Sequence, residues 1–136
     1  KKRLLVWGNN FQGQLGQGDR RHRCKPTLVD LRDVSAVCCG YYYTIILSTK
    51  EVYVCGRNDY GQLGLGQFNH IDEYFTLPQK INLTEPIRSI SCGAYHTIAI
   101  AESDQCYGWG RNTNGQLGLG DNENRCKPYL IEISKS

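Results

Sequence analysis

The apolar residues of this chain fall in short runs that are rich in β-branched and aromatic side chains and are bounded by Gly, Pro, Asn, Asp or Ser. Runs of this kind are typical of β-strands. No long window keeps apolar residues at i, i+3, i+4 and i+7, so the pattern predicts little helix. The predicted strands are 3–7, 44–48, 51–55, 97–101, 105–109 and 129–133. The hydrophobic pattern therefore predicts an all-β fold.

A glycine phrase separates these runs. The sequence Gly-Gln-Leu-Gly occurs at 13–16, 61–64 and 115–118, each time preceded by Gly-x-Asn-x-x and followed by x-Gly. It recurs at an interval of about 50 residues, which is typical of repeat architectures. The shared positions are Gly8, Asn10, Gly13, Gln14, Leu15 and Gly16; Gly56, Asn58, Gly61, Gln62, Leu63 and Gly64; and Gly110, Asn112, Gly115, Gln116, Leu117 and Gly118.

These shared positions are interpreted as structural. Glycine adopts φ > 0 without a steric penalty, and Asn and Gln side chains satisfy backbone groups that a tight turn leaves unpaired. We expect the Asn and Gln residues to fix turns and each Leu to anchor the core. A residue present in every repeat is a poor candidate for a unique active-site group.

A second block is repeated between the glycine phrases. Residues 37–45 and 90–98 share a Cys-Gly pair and a Thr-Ile pair. His96 in one copy takes the place of Tyr43 in the other, so we predict a buried, hydrogen-bonded structural histidine rather than a catalytic one. The middle glycine phrase is followed by extra residues within 67–77, which we assign to a loop because insertions in repeat proteins map to loops.

The charge is mildly basic, with a net value of +3. One local cluster, Arg20, Arg21, His22 and Arg23, is either a solvated turn or a contact for an acidic partner or a phosphate. The chain contains no Met. We therefore expect residues 1–136 to be a piece of a longer protein, made of repeats throughout.

The seven cysteines include no Cys-x-x-Cys pair and largely follow the repeat. We interpret them as small buried hydrophobes rather than a disulfide framework or a metal site. This usage fits a reducing compartment, the cytosol or the nucleus. A string of His70, Asp72 and Glu73 offers too few ligands for a metal. We expect no metal, no cofactor and no small-molecule substrate, and no apolar run is long enough for a membrane span.

Motifs for nucleotide binding and hydrolysis are missing from the sequence. The glycine order differs from the dinucleotide fingerprint, and the chain has no Gly-Lys-Ser/Thr phosphate loop and no Gly-x-Ser-x-Gly elbow. No nucleophile–base pair stands outside the repeat. We therefore expect no catalytic chemistry within these residues.

The repeated phrase resembles the regulator of chromosome condensation repeat family. Residues 109–121 and 91–97 match its Trp-Gly-x-Asn-x-x-Gly-Gln-Leu-Gly-x-Gly-Asp and Ser-Cys-Gly-x-x-His-Thr patterns, and 7–19 match the first pattern as well. The middle copy departs from it with Cys55 for Trp and Gln67 for Asp. The resemblance implies a β-propeller, typically of about seven blades that are each a four-stranded antiparallel sheet. This chain would then supply an arc of two to three blades.

The resemblance implies two functions. Many members are propeller modules that bind partner proteins through blade loops. Others are guanine-nucleotide exchange factors for a Ran-like small GTPase on chromatin, where the partners are the GTPase and the acidic surface of the nucleosome. The remaining blades would come from the same chain or from another copy.

The candidate binding surface consists of residues that the repeat does not explain. Aromatic and Arg side chains are the usual anchors of protein interfaces, and loops carry them in a repeat protein. The candidates are Arg20, Arg21, His22, Arg23, Tyr41, Tyr42, Phe68, His70, Asp72, Glu73, Tyr74 and Phe75.

Overall fold

The computed structural model describes residues 2–132, which form ten β-strands and no helix. No segment of this range could therefore cross a membrane as a helix. The strands are β1 Leu5–Gly8, β2 Arg23–Leu28, β3 Val34–Cys39, β4 Tyr43–Ser48, β5 Glu51–Arg57, β6 Tyr74–Lys80, β7 Ile87–Cys92, β8 His96–Ala101, β9 Cys106–Gly110 and β10 Arg125–Ile131.

The strands form three antiparallel sheets, each a simple meander. Blade A contains β1 and β2, blade B contains β3 to β6, and blade C contains β7 to β10. A glycine phrase links β1 to β2, β5 to β6 and β9 to β10, so blade A corresponds to the third and fourth strands of the other two. The predicted all-β arc of two to three propeller blades is confirmed.

The outermost strands differ from the sequence prediction. Strands β2, β3, β6 and β7 were not predicted. Pro26 and Pro78 interrupt β2 and β6, and proline within a sheet is largely confined to edge strands. In β3 and β7, Ser and Cys residues break up the β-branched pattern. Only 67–73 of the insertion at 67–77 lies in a loop, since its remainder begins β6. Strand β10 begins at Arg125 rather than at residue 129, and Ile133 lies outside the described residues.

The core lies between the blades. Its larger cluster fills the seam between blades B and C and includes Leu63, Ile87 and Trp109, while a smaller cluster around Val29 and Ile46 fills the seam between A and B. All of β4 is buried because blade B is covered on both sides. In β8 buried and half-buried residues alternate, because the far side of blade C is uncovered.

Each glycine-phrase loop is held by its asparagine. The buried Asn58 accepts a hydrogen bond from the Leu63 N–H at 2.9 Å and donates to the Gln67 carbonyl at 2.9 Å. Asn10 and Asn112 make the equivalent bonds in the other two loops. These side chains take the place of backbone pairs that the tight loop cannot form.

The loop of one blade packs against the next blade. The Gln62 carbonyl accepts hydrogen bonds from Thr97 Oγ1 at 3.2 Å and from Trp109 Nε1 at 3.0 Å. A Cβ added to Gly61 would lie 2.6 Å from the Cys126 Cα, so this approach requires glycine. At the other seam, the Gln14 carbonyl accepts in the same way from Thr44 Oγ1 at 2.7 Å.

His96 differs from the prediction of a buried, hydrogen-bonded side chain. Its counterpart Tyr43 crosses the seam and donates to the carbonyl oxygens of Gly93 and His96, both at 2.8 Å. His96 itself is half-buried, and its ring makes no hydrogen bond within residues 2–132. The physical reason is its position on the uncovered side of blade C, and partial burial still lowers its pKa.

The cysteines are free thiols, but they are less buried than predicted. Cys55 alone is buried, which raises its pKa to about 12, whereas Cys24 and Cys39 are exposed. Cys24 lies on the edge strand β2. Cys39 ends β3 and lines an apolar hollow beside the two-stranded blade A.

Candidate partner-binding face

The antiparallel meander brings the turns 40–42 and 93–95 to the same edge of the blades as the glycine-phrase loops 9–22, 58–73 and 111–124. We call this edge the loop face. All the candidate binding residues lie on it or at the start of a strand that leaves it. The opposite edge carries the turns 49–50 and 102–105 and the links between blades.

Three of the candidates meet at the seam between blades A and B. Arg20, Tyr42 and Tyr74 line one open cleft of about 340 Å³ together with Phe11. The guanidinium carbon of Arg20 lies 4.4 Å from the centre of the Tyr74 ring, and its Nε donates to the Phe11 carbonyl at 2.6 Å. The cleft thus offers a positioned cation between aromatic rings.

Two of the neighbouring candidates have structural contacts. Arg23 Nη2 lies 2.9 Å from Asp19 Oδ2, and hydrogen bonding from Arg23 lowers the pKa of Asp19 to about 2. His22 Nδ1 accepts a hydrogen bond from the Asn10 N–H at 2.9 Å. The side chain of Arg21 is exposed and forms no ion pair within the described residues, so Arg20 and Arg21 are the cations that this loop presents to solvent.

The candidates of the longer loop are divided between surface and core. Phe68 is exposed, whereas Phe75 packs against the core between blades B and C. The loop is braced locally, because Glu73 Oε1 accepts from the His70 N–H at 2.9 Å and His70 Nδ1 accepts from the Asp72 N–H at 3.2 Å. None of these five residues lines the cleft beside Arg20.

A second cluster lies at the seam between blades B and C, and only Tyr41 of its members is among the candidates predicted from the sequence. The rings of Tyr60 and Tyr95 are 4.9 Å apart, and Tyr41 packs edge-on against Tyr95 at 5.4 Å. The guanidinium of Arg57 lies 5.2 Å from the Tyr95 ring centre, and that of Arg111 lies 5.2 Å from the Tyr60 ring centre. We call these five residues the Arg–Tyr cluster.

The Arg–Tyr cluster could have been found from one signal in the sequence. Arg57 and Arg111 occupy the variable position of Gly-x-Asn, where the first copy has Asn9. This variable position lies inside a motif that was interpreted as structural, so neither arginine is among the candidates. The folded chain stacks consecutive blades, so residues one repeat apart become neighbours.

The side chains of the loop face are suited to contacts with a partner. Guanidinium groups and phenol rings form charge-assisted hydrogen bonds and cation–π contacts. Within residues 2–132, no three potential metal ligands converge.

The comparisons with known proteins agree with this architecture. The model of the "Regulator of chromosome condensation (RCC1) repeat" matches residues 2–47, 51–100 and 103–136. The chain is 40% identical over 134 residues to the ultraviolet-B receptor UVR8 of Arabidopsis thaliana, covering 95% of this chain and 30% of that protein. It is 36% identical over 138 residues to the Regulator of chromosome condensation of Drosophila melanogaster, covering 97% and 24%.

Solved structures show the same fold. Prp20p of Saccharomyces cerevisiae, in a crystal structure described together with its binding to Gsp1p and histones, superposes with a TM-score of 0.85 at 26% identity. The match covers 98% of this chain and 35% of that one. The chain therefore spans about a third or less of the length of these relatives.

Proposed function

Because the chain belongs to the regulator of chromosome condensation repeat family, we propose that it is a propeller-type interaction module whose loop face binds a partner protein. The carrying observation is the gathering of Arg and aromatic side chains on one edge of the blades. The strands themselves are committed to sheets and seams, so the loops are free to make contacts. The cleft of Arg20, Tyr42 and Tyr74 is the first binding site that we propose.

Pull-down from lysate tests this proposal. Arg20→Ala combined with Tyr74→Ala removes the cation and the ring that it stacks on, and we expect partner recovery to fall at least about tenfold, as for a hot-spot pair. The matched control is Arg32→Ala, an exposed arginine on the opposite edge. Equal partner recovery with the double variant, the control and the wild type would reject the cleft as a binding site. Phe75 is not substituted, because it packs against the core. Its loss would lower partner recovery through misfolding as well as through lost binding.

We also propose that these residues form one arc of a larger propeller. Trp7 is 61% exposed, although Trp109 at the same repeat position is fully buried. A Cβ on Gly118 would meet nothing within 4 Å, whereas on Gly64 it would meet the Trp109 ring. Further blades of the same kind would cover both ends. The intact mass of the native polypeptide tests this, since a mass near that of the 15.4 kDa arc alone would contradict it.

A second candidate function is guanine-nucleotide exchange on a Ran-like GTPase, on chromatin in the nucleus. The observations that favour it are the Drosophila relative and the described binding of yeast Prp20p to Gsp1p and histones. Exchange requires displacement of nucleotide rather than a catalytic nucleophile, so the chemistry of the loop face is compatible with it. Release of GDP from Ran on addition of the complete propeller distinguishes exchange from binding alone.

A reducing compartment, cytosolic or nuclear, is part of the proposal. Seven free thiols in one small chain support it, because exposed thiols such as Cys24 persist where disulfides do not form.

A further inference from the structure

The two arginines of the Arg–Tyr cluster have different charge partners. Arg57 is paired with Asp59 by two hydrogen bonds of 2.6 Å, from Nε to Oδ1 and from Nη2 to Oδ2. Burial alone would raise the pKa of Asp59, but the hydrogen bonds from Arg57 and Gln62 hold it below its ordinary value. Blade B therefore neutralises its own arginine.

Blade C has the same arginine without the carboxylate. The residue that corresponds to Asp59 is Thr113, whose Oγ1 accepts a hydrogen bond from Arg111 Nε at 2.8 Å. Arg111 forms no ion pair within residues 2–132. Its two terminal nitrogens likewise donate no hydrogen bond to any of these residues.

The position of the Arg111 guanidinium is nevertheless fixed. It lies 5.2 Å from the ring centre of Tyr60 and 5.7 Å from that of Tyr95, and Thr113 holds its Nε. A planar guanidinium held in this way presents parallel donors that match a carboxylate, and little side-chain entropy remains to be lost on binding.

We propose that Arg111 is the anchor for an Asp or Glu side chain of an acidic segment in the partner protein, which takes the place that Asp59 has beside Arg57. This inference rests on the proposed binding function of the loop face and names the chemistry of its partner. The Tyr60 and Tyr95 rings flank the anchor, and Tyr41 packs edge-on against Tyr95. The net charge of +3 favours the approach of an acidic chain.

The test supplies the missing carboxylate within the chain. Thr113→Asp should reproduce the Arg57–Asp59 pair at Arg111 and block the anchor without removing it. The probe is fluorescein-labelled hexaglutamate, titrated by fluorescence anisotropy at low salt, with hexaglutamine as the neutral probe. We expect Thr113→Asp to bind hexaglutamate at least about tenfold more weakly than the wild type.

Matched variants separate charge from shape and folding. Thr113→Asn has nearly the shape of Asp without its charge and should stay within about threefold of the wild type. Arg111→Gln should lose binding as Thr113→Asp does, and it replaces that variant if Thr113→Asp does not fold. Wild-type affinity in Thr113→Asp, or equal binding of hexaglutamine, would overturn the proposal.

Two further outcomes distinguish this inference from the proposal that it rests on. If Arg20→Ala weakens binding while Thr113→Asp does not, the loop face binds and Arg111 is not the anchor. If a single-stranded DNA oligonucleotide binds through Arg111 and hexaglutamate does not, the partner is a nucleic acid and the acidic protein is rejected.

Discussion

At the scale of single residues, buried asparagine side chains form the hydrogen bonds that backbone groups form elsewhere in the sheets. Asn58 is fully buried and joins both ends of its loop, and the same geometry recurs at Asn10 and Asn112. The repeat in the sequence is sufficient to predict that these residues matter structurally. The sequence does not reveal which carbonyl each amide reaches, because that partner lies nine or more residues away and depends on how the loop closes.

Asn58→Ala should destabilise the protein by about 2–3 kcal/mol, because it leaves the buried Leu63 N–H and the Gln67 carbonyl without partners. Urea unfolding followed by circular dichroism measures this. The control is Asn114→Ala, an exposed asparagine of the neighbouring loop, which should change stability by less than about 0.5 kcal/mol. Equal effects of the two changes would refute the role of the asparagine.

The ion pairs of the outer loops predict that the stability of the fold decreases as the pH falls into the acid range. The pKa of Asp19 is lowered by Arg23 and that of Asp121 by Arg125, so each pair stabilises the fold while its carboxylate is ionised. A depressed pKa in the folded state gives stability that is present above the unfolded value and lost as the pH falls through the folded one. For Asp19 that window extends from about pH 4 to about pH 2.

Asp19→Asn should therefore be less stable than the wild type at pH 7 and should approach it as the pH falls to 2. Urea midpoints at pH 7, 4 and 2 follow the difference. Asp30→Asn is the control, because Asp30 forms no ion pair within the described residues. A difference that stays constant with pH would contradict the ion-pair account.

At the scale of elements, the blade seam explains where sequence prediction succeeds and where it fails. The strands 44–48, 51–55 and 97–101 were found because they lie in the core and their β-branched residues are continuous. The edge strands β2 and β6 were missed because their prolines and charges suit an exposed edge. The edge strands β3 and β7 were missed because Ser and Cys residues break up their β-branched pattern. The Arg–Tyr cluster was missed because contacts across a seam join residues of different repeats, and periodicity alone does not show them.

Alanine substitution at two equivalent glycines separates the contribution of the seam to stability from the cost of backbone strain. Gly64 and Gly118 have nearly the same backbone, with φ of +71° and +68°, so alanine costs each a similar strain of about 1 kcal/mol. Gly64→Ala also brings its Cβ to 2.8 Å from Trp109 Nε1, and we expect a further loss of about 1–3 kcal/mol. Chemical denaturation of both variants measures the difference. Equal losses would show that the seam does not pack as described.

At the scale of the whole molecule, stacking of like blades produces both a continuous core and the loop face that we propose as the binding surface. The seams hold the core, the two ends carry uncovered blade surfaces such as that around Trp7, and the loop face collects the positions that packing leaves free. The repeat sequence predicts the stacking. It does not predict which variable positions become neighbours, since this depends on the register of one blade against the next.

Hydrogen–deuterium exchange of the chain with and without its captured partner tests the central claim most directly. The account predicts protection in the loops 9–22, 58–73 and 111–124 and in the turns 40–42 and 93–95, with little change in the links of the opposite edge. Protection confined to that opposite edge, or to the uncovered ends of the arc, would contradict the loop face as the binding surface.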